Sequence, residues 1–313
     1  FSNDSESVLV DPAIIPSFLG AVFQIGDPEN PMAIGICYSR PYQINYAADE
    51  ILDTADTEFD PDSYIQQSLS RFRIAFAYDI PFREAGEPGF FPHLALGFGL
   101  DVGFINWRFD NPTNNEYDTA TGYGFGAGLL TTVYDNTESF KVNFGMAYQS
   151  FVRFDFSIEP ELFPAFDMPQ QFNAGFTFYL LENTPLRLTF DFQWINWKNS
   201  AEEPSFETPL PHFEDAFNFS IGGEYRVRLS EKILCYPRFG IRYVSAPWDD
   251  PNDLPVTGGY KLVLDTDDDV FTVISFGVGI SWMSEDGRLR KVDLAGDAGG
   301  DSFTAAVGYT HEF

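Results

Sequence analysis

From Phe140 to Ile158 every even position except Ser150 carries a large apolar side chain: Phe140, Val142, Phe144, Met146, Tyr148, Val152, Phe154, Phe156 and Ile158. The odd positions between them, Phe151 apart, are polar or small. A period of two puts successive side chains on opposite faces of a strand, so this stretch reads as a strand with one apolar and one polar face. It is far longer than the five or six residues (about) of an ordinary strand. The same pattern recurs in Phe72, Ile74, Phe76, Tyr78, Ile80 against Arg71, Arg73, Ala75, Ala77, Asp79, and in Phe217, Phe219, Ile221, Tyr225, Val227 against Asn218, Ser220, Glu224, Arg226, Arg228. Leu186, Leu188, Phe190, Phe192 and Trp194 oppose Arg187, Thr189, Asp191 and Gln193 in the same way.

The alternation predicts thirteen strands, at about 15–26, 31–46, 64–82, 90–109, 122–134, 140–158, 170–181, 186–198, 215–229, 232–247, 269–283, 288–295 and 302–313. Tight links rich in Gly, Pro, Asn, Asp and Glu alternate with longer acidic ones, 47–63, 110–121, 159–169, 199–214 and 248–268. That asymmetry between rims is the habit of a transmembrane antiparallel β-barrel, with short turns on the periplasmic side and long loops outside. The expected fold is therefore all-β, a single outer-membrane barrel domain over 1–313. Bacterial barrels of this kind have even strand counts, and an open edge in lipid leaves backbone groups unpaired, so fourteen strands are expected. The extra one belongs upstream of Phe1 or in the poorly patterned Phe1–Val10.

Composition sharpens the reading. Phe supplies 34 of 313 residues, which favours pleated strands over helices, and 47 acids against 18 Lys plus Arg give a net charge of −29. A nucleic-acid partner is excluded, because no clustered basic footprint exists to displace phosphate counterions. No run of about 18 apolar residues is present to cross a membrane as a helix. Phe1–Val10 carries acids where a leader's basic region would sit, so the sequence reads as mature or truncated. Cys37 and Cys235 fall on opposite phases and fit neither a disulfide nor a metal cluster. His93, His212 and His311 are isolated, and no catalytic, cofactor or phosphate-loop motif appears. The chain is expected to be no enzyme and to hold no cofactor or metal.

The run Gln171-Phe172-Asn173-Ala174-Gly175 through Phe190-Asp191-Phe192-Gln193-Trp194-Ile195-Asn196-Trp197 resembles a strand–turn–strand element of the long-chain fatty-acid outer-membrane transporter (FadL-like) family. His212-Phe213-Glu214-Asp215-Ala216 with Gly222-Gly223-Glu224-Tyr225-Arg226, then Pro237-Arg238-Phe239-Gly240-Ile241-Arg242-Tyr243 with Ser245-Ala246-Pro247, follow in that family's order. Phe303 to Phe313, alternating and ending on an aromatic, resembles the assembly signal of outer-membrane proteins. The resemblance implies a fourteen-stranded barrel of a Gram-negative-type outer membrane, with an N-terminal luminal hatch and sideways release of hydrophobic substrates at a kinked strand. Ser39-Arg40-Pro41-Tyr42 looks like that kink, Pro being confined to edges and bulges; a strand end bending into its loop is the other reading. The chain departs from the family in having no hatch sequence, and in Glu214 where the family has a basic residue.

Arg71, Arg73, Arg187, Arg226, Arg228, Arg238 and Arg242 share the inward phase. Arginine's fork binds carboxylates bidentately, so Arg226 and Arg238, with Arg71 and Arg242, are the candidate contacts for a fatty-acid headgroup. The alternative is an internal network with Asp79, Asp101, Asp155, Asp191 and Glu224. Loop acids cluster at Asp49–Asp62, Asp249–Asp253 and Asp265–Asp269; they read as solvated loops with no EF-hand spacing, and they offer a surface to protein partners. The expected partners are outer-membrane lipid and lipopolysaccharide together with a hydrophobic small molecule. Two functions stay open: passive uptake of long-chain fatty acids or other hydrophobic molecules, or a PorV-like scaffold that binds proteins of a secretion or surface complex. Phe151, Trp107 and Phe271 on the inward phase argue against an unselective porin.

Overall fold

The computed structural model describes residues 18–26, 31–47, 64–83, 88–110, 115–136, 139–154, 167–180, 185–199, 214–245, 270–283, 289–299 and 302–311. They form β1 (Phe18–Ile25), β2 (Met32–Ala47), β3 (Tyr64–Pro81), β4 (Gly89–Phe90), β5 (His93–Asp110), β6 (Asn115–Asn136), β7 (Phe140–Gln149) and β8 (Gln170–Leu180). β9 (Leu186–Asn196), β10 (Ala216–Tyr225), β11 (Val227–Arg228), β12 (Ile233–Ser245), β13 (Val270–Met283), β14 (Leu289–Gly299) and β15 (Ser302–His311) complete the set. All belong to one antiparallel sheet whose ladders follow chain order, with the two-residue β4 and β11 attached to β6 and β12. The thirteen longer strands are the thirteen that alternation predicts.

The pleat sorts the side chains as expected. Ile74 pairs with Leu100 and Phe76 with Phe98, and Leu100 and Phe98 then meet Phe125 and Ala127 across the next ladder. These outward rows are exposed, as are Phe176, Phe190, Phe219, Ile221, Phe239, Ile241, Ile274 and Phe276 further round. Rings pack along this belt, Phe144 against Phe176 at 4.9 Å and Phe192 against Phe219 at 5.2 Å. Continuous apolar surface of this extent is untenable in water but matches lipid acyl chains. Ladders satisfy the backbone within the wall, as a bilayer demands. Among the described residues β1 and β15 end the path without a ladder between them. The expected fourteenth strand at Phe1–Val10, the terminal Phe313 and the loop acids at 49–62, 249–253 and 265–269 lie outside the described residues.

The wall is uneven. β3, β5 and β6 run 18, 18 and 22 residues, whereas β7 to β10 run 10, 11, 11 and 10. At about 3.3 Å per residue that is roughly 60 Å of strand against 35 Å.

The strand expected over 140–158 ends at Gln149. Ser150 makes the break: its N–H donates to the Phe125 carbonyl at 2.9 Å and its Oγ accepts from the Phe125 N–H at 2.8 Å, which ties the chain to β6 as it turns inward. Beyond it Val152 and Phe154 are buried rather than lipid-facing, and Phe156 and Ile158 lie outside the described residues. The loop expected over 110–121 is also mostly strand, since Asn115–Thr121 pairs with Phe104–Asp110. Its polar run hides a strand because Asp118 turns inward and takes the Thr119 N–H at 2.8 Å. Nor is 159–169 wholly solvated loop: Met168 and Pro169 are fully buried. The strand expected over 215–229 is interrupted at Arg226: the β10–β12 ladder stops at Glu224 opposite Arg238, one residue short of Pro237, which has no N–H to give, and resumes with Val227 opposite Cys235.

Candidate functional site

Alternate positions on the inner face of β5 and β6 are glycines: Gly97, Gly99, Gly103 and then Gly122, Gly124, Gly126, Gly128. They form a floor without side chains, and the segment leaving β7 lies on it. A methyl at Gly103 would come within 2.7 Å of Val152, and one at Gly122 would run into the Arg153 carbonyl oxygen. The segment is held by its own small bridge: Val152 and Met168 exchange backbone hydrogen bonds at 3.1 and 3.0 Å, and the Phe154 N–H donates to Asp167 at 2.9 Å. Val152, Phe154 and Met168 close an apolar cluster with Leu69, Ile105 and Ala120. Ile105, Val152 and Met168 are 0% exposed. This is a hydrophobic nest inside a wall whose inner face is otherwise polar.

Leu69 of that nest also marks an irregularity in the wall. It faces Ile105 on β5 and Tyr42 on β2, and the β2–β3 register shifts between Ser39 and Tyr42. β2 therefore carries one extra residue across Arg40-Pro41, a bulge at the expected kink. Among the described residues the β1 ladder stops at Phe18 facing Ser39, so β2 beyond it pairs with β3 only. The outer face changes character at this height, from Phe72, Ile74 and Phe76 below to Ser70 and Ser68 above, with Tyr38 Oη within 2.9 Å of Ser70 Oγ.

The inward arginines fall into separate environments. Arg73 grips fully buried Asp101 with both fork nitrogens at 2.6 and 2.7 Å, its guanidinium lying over Gly126. Arg238 is clamped between Glu224 and Asp293, both at 2.6 Å, with Arg187 reaching Glu224 at 3.3 Å and Lys291 reaching Asp293 at 3.3 Å. Arg71 sits one row from Leu69, between Ser39 and Gly103. Arg242 approaches Asp297 only to 3.9 Å, both half exposed. Arg226 lies exposed at the β10–β11 break towards the short-turn rim, its backbone N–H donating to the Pro185 carbonyl at 2.8 Å. The four candidates thus do not converge on one site.

Two groups went unseen in the sequence. Val152, Phe154 and Met168 looked like lipid-facing or loop residues; the glycines at alternate positions of β5 and β6 were the signal that something packs against that face. His93 is the other: its Nδ1 is 3.3 Å from Asp79 and its Nε2 is 2.8 Å from Thr132, tying β5 to β3 and β6 near the short-turn rim.

Against solved structures the chain is similar to a FadL homologue of Pseudomonas aeruginosa (12% identity, 90% of this chain and 70% of that one, TM-score 0.57). It is likewise similar to the toluene transporters TbuX of Ralstonia pickettii (13%, 94% and 80%, 0.54) and TodX of Pseudomonas putida (12%, 93% and 81%, 0.53). The fold is that of a FadL-type outer-membrane barrel. No family model matches the sequence and no curated protein matches it. The chain's own sheet is all-β and antiparallel, with its ladders in chain order.

Proposed function

We propose that the chain is a passive outer-membrane transporter for hydrophobic small molecules, which enter the luminal nest and leave sideways at the Ser39–Tyr42 bulge. The observation that carries this is Leu69, at once part of the apolar nest and the partner of Tyr42 where the register slips. A hydrophobic molecule displacing Val152 or Phe154 would lie beside the irregular stretch of wall, at the level where the outer surface turns from apolar to polar. Escape there delivers it to the upper part of the bilayer without crossing water. Arg71, one row away, is the basic residue placed to meet a carboxylate at the end of such a molecule. The likeness to two toluene transporters supports a hydrophobic cargo, and the sequence resemblance to the fatty-acid transporter family points to long-chain fatty acids within that class.

The test is uptake of labelled oleate and labelled toluene by cells lacking their own transporters. Deleting Pro41 places Ser39, Arg40 and Tyr42 opposite Arg71, Ser70 and Leu69 in one unbroken register. Uptake of both cargoes is expected to drop to background while the barrel still assembles. Undiminished uptake through the repaired wall would refute lateral release at this point. No uptake by the assembled parent, with a protein co-purifying, would favour the scaffold.

A further inference from the structure

The lower wall, β7 to β10 with β12, faces a second luminal cavity of about 500 Å³, where polar and charged side chains stand beside Leu129 and Leu130 of β6. One row of paired residues crosses its floor: Gly175, Asp191, Ser220 and Arg242 on β8, β9, β10 and β12. Neighbouring strands lie about 4.8 Å apart, so the Cα atoms of Asp191 and Arg242 are separated by roughly 10 Å, with a serine between them. The acid and the base therefore face the same space without pairing to each other. Asp191 is exposed and hydrogen-bonded to the Ser220 hydroxyl, its carboxylate lying across Gly175, where a methyl would collide with it.

Arg242 differs from the other inward arginines with acidic partners. Arg73 and Arg238 hold theirs at 2.6 Å, but Asp297 is 3.9 Å from Arg242, beyond charge-assisted hydrogen-bond range. The next row supplies neutral donors and acceptors. Asn218 Nδ2 donates to Gln193 Oε1 at 2.8 Å and Gln193 Nε2 to Gln171 Oε1 at 3.4 Å.

We propose that this cavity binds small zwitterionic solutes of the amino-acid or dipeptide kind, with Arg242 taking the carboxylate and Asp191 the ammonium. A plain anion would meet Arg242 but also Asp191 and Asp297, and a plain cation would meet Arg242. An acyl chain would lie against carboxamides. A molecule carrying both charges and an amide satisfies the row, its amide meeting the carboxamides beside it. The site is independent of the hydrophobic route and uses none of its residues.

The experiment is calorimetric titration of the full chain in detergent micelles with glycylglycine, its N-acetyl derivative, its C-terminal amide, and the doubly capped neutral form. Glycylglycine is expected to bind, with each cap, Arg242→Gln and Asp191→Asn separately weakening it by at least about tenfold, the value of one hydrogen bond to a charge. Gly175→Ala, which displaces the carboxylate without removing it, is expected to weaken binding also, and each variant is checked for intact heat-modifiable migration. Equal binding of the doubly capped form, no binding of glycylglycine to the parent, or isotherms unmoved by the substitutions would overturn the proposal. Oleate and toluene uptake by Asp191→Asn reads the hydrophobic route separately and is expected to stay at the parent level.

Discussion

The tall wall of β3, β5 and β6 and the low wall of β7 to β10 are built from the same two-faced strands, yet their inner faces have opposite contents. On the tall wall seven inner positions of β5 and β6 are glycine, and the chain returns to cover part of that floor with Val152, Phe154 and Met168. On the low wall the inner positions carry Asn173, Gln193, Asn218, Asp191 and Ser220, and they line open space. A β-wall can thus be made apolar inside only by a second layer, because its own outward phase is already committed to lipid. Where no second layer packs, the inner face has to stay hydrogen-bonded and wet.

The strongest way to break this contrast is to unpair a charge on the tall side. Asp101 is 2% exposed, and its carboxylate accepts from two guanidinium nitrogens of Arg73 at 2.6 and 2.7 Å. Arg73→Gln would leave a buried carboxylate without its cation, at a cost of about 3–5 kcal/mol, read as a lower urea midpoint in micelles. A midpoint shifted by no more than that of a surface substitution would mean that Asp101 is reached by water and that the tall wall is not dry.

A smaller effect comes from the nest itself. Ile105→Ala removes a side chain that is 0% exposed and should cost about 2–5 kcal/mol through lost burial and the cavity left behind. It should also speed proteolysis after Arg153, because Val152 and Phe154 lose the surface that holds the segment inward. Asn173→Ala on the low wall, facing open cavity, is expected to change stability by well under about 1 kcal/mol. Equal losses at the two sites would erase the distinction between a packed and a wet inner face.

The outer face was legible residue by residue, because lipid imposes one rule on every outward position and a period of two exposes it. Ile74, Phe98, Phe176 and Phe276 are where alternation puts them, and the bulge at Ser39–Tyr42 was announced by Pro41. The inner nest was not legible. After Ser150 the pattern of Val152 and Phe154 is unchanged, but the strand has left the wall, so the same parity now points at the inner face of β5 and β6 instead of at lipid; periodicity reports faces, not which layer a face belongs to. Among the arginines, phase gave the face correctly for Arg73, Arg238 and Arg242, but their partners depend on register. That Glu224 lies opposite Arg238, and Ser220 opposite Arg242, follows from the link between β10 and β12, which residue type alone does not determine.

The smallest effect sharpens the contrast most finely. Arg242 and Asp297 are 45% and 43% exposed and 3.9 Å apart, so their attraction is screened and worth about 0–1 kcal/mol. Asp297→Asn should therefore leave the urea midpoint within error, unlike removal of either acid that clamps Arg238. The same change relieves Arg242 of its nearest competing carboxylate, so glycylglycine should bind as tightly as to the parent or a few times more tightly, with the gain fading as salt is raised. Lost stability would make Arg242–Asp297 a structural pair like Arg238–Glu224; weaker binding would transfer the ammonium from Asp191 to Asp297. Either result would redraw the low wall while leaving the nest untouched.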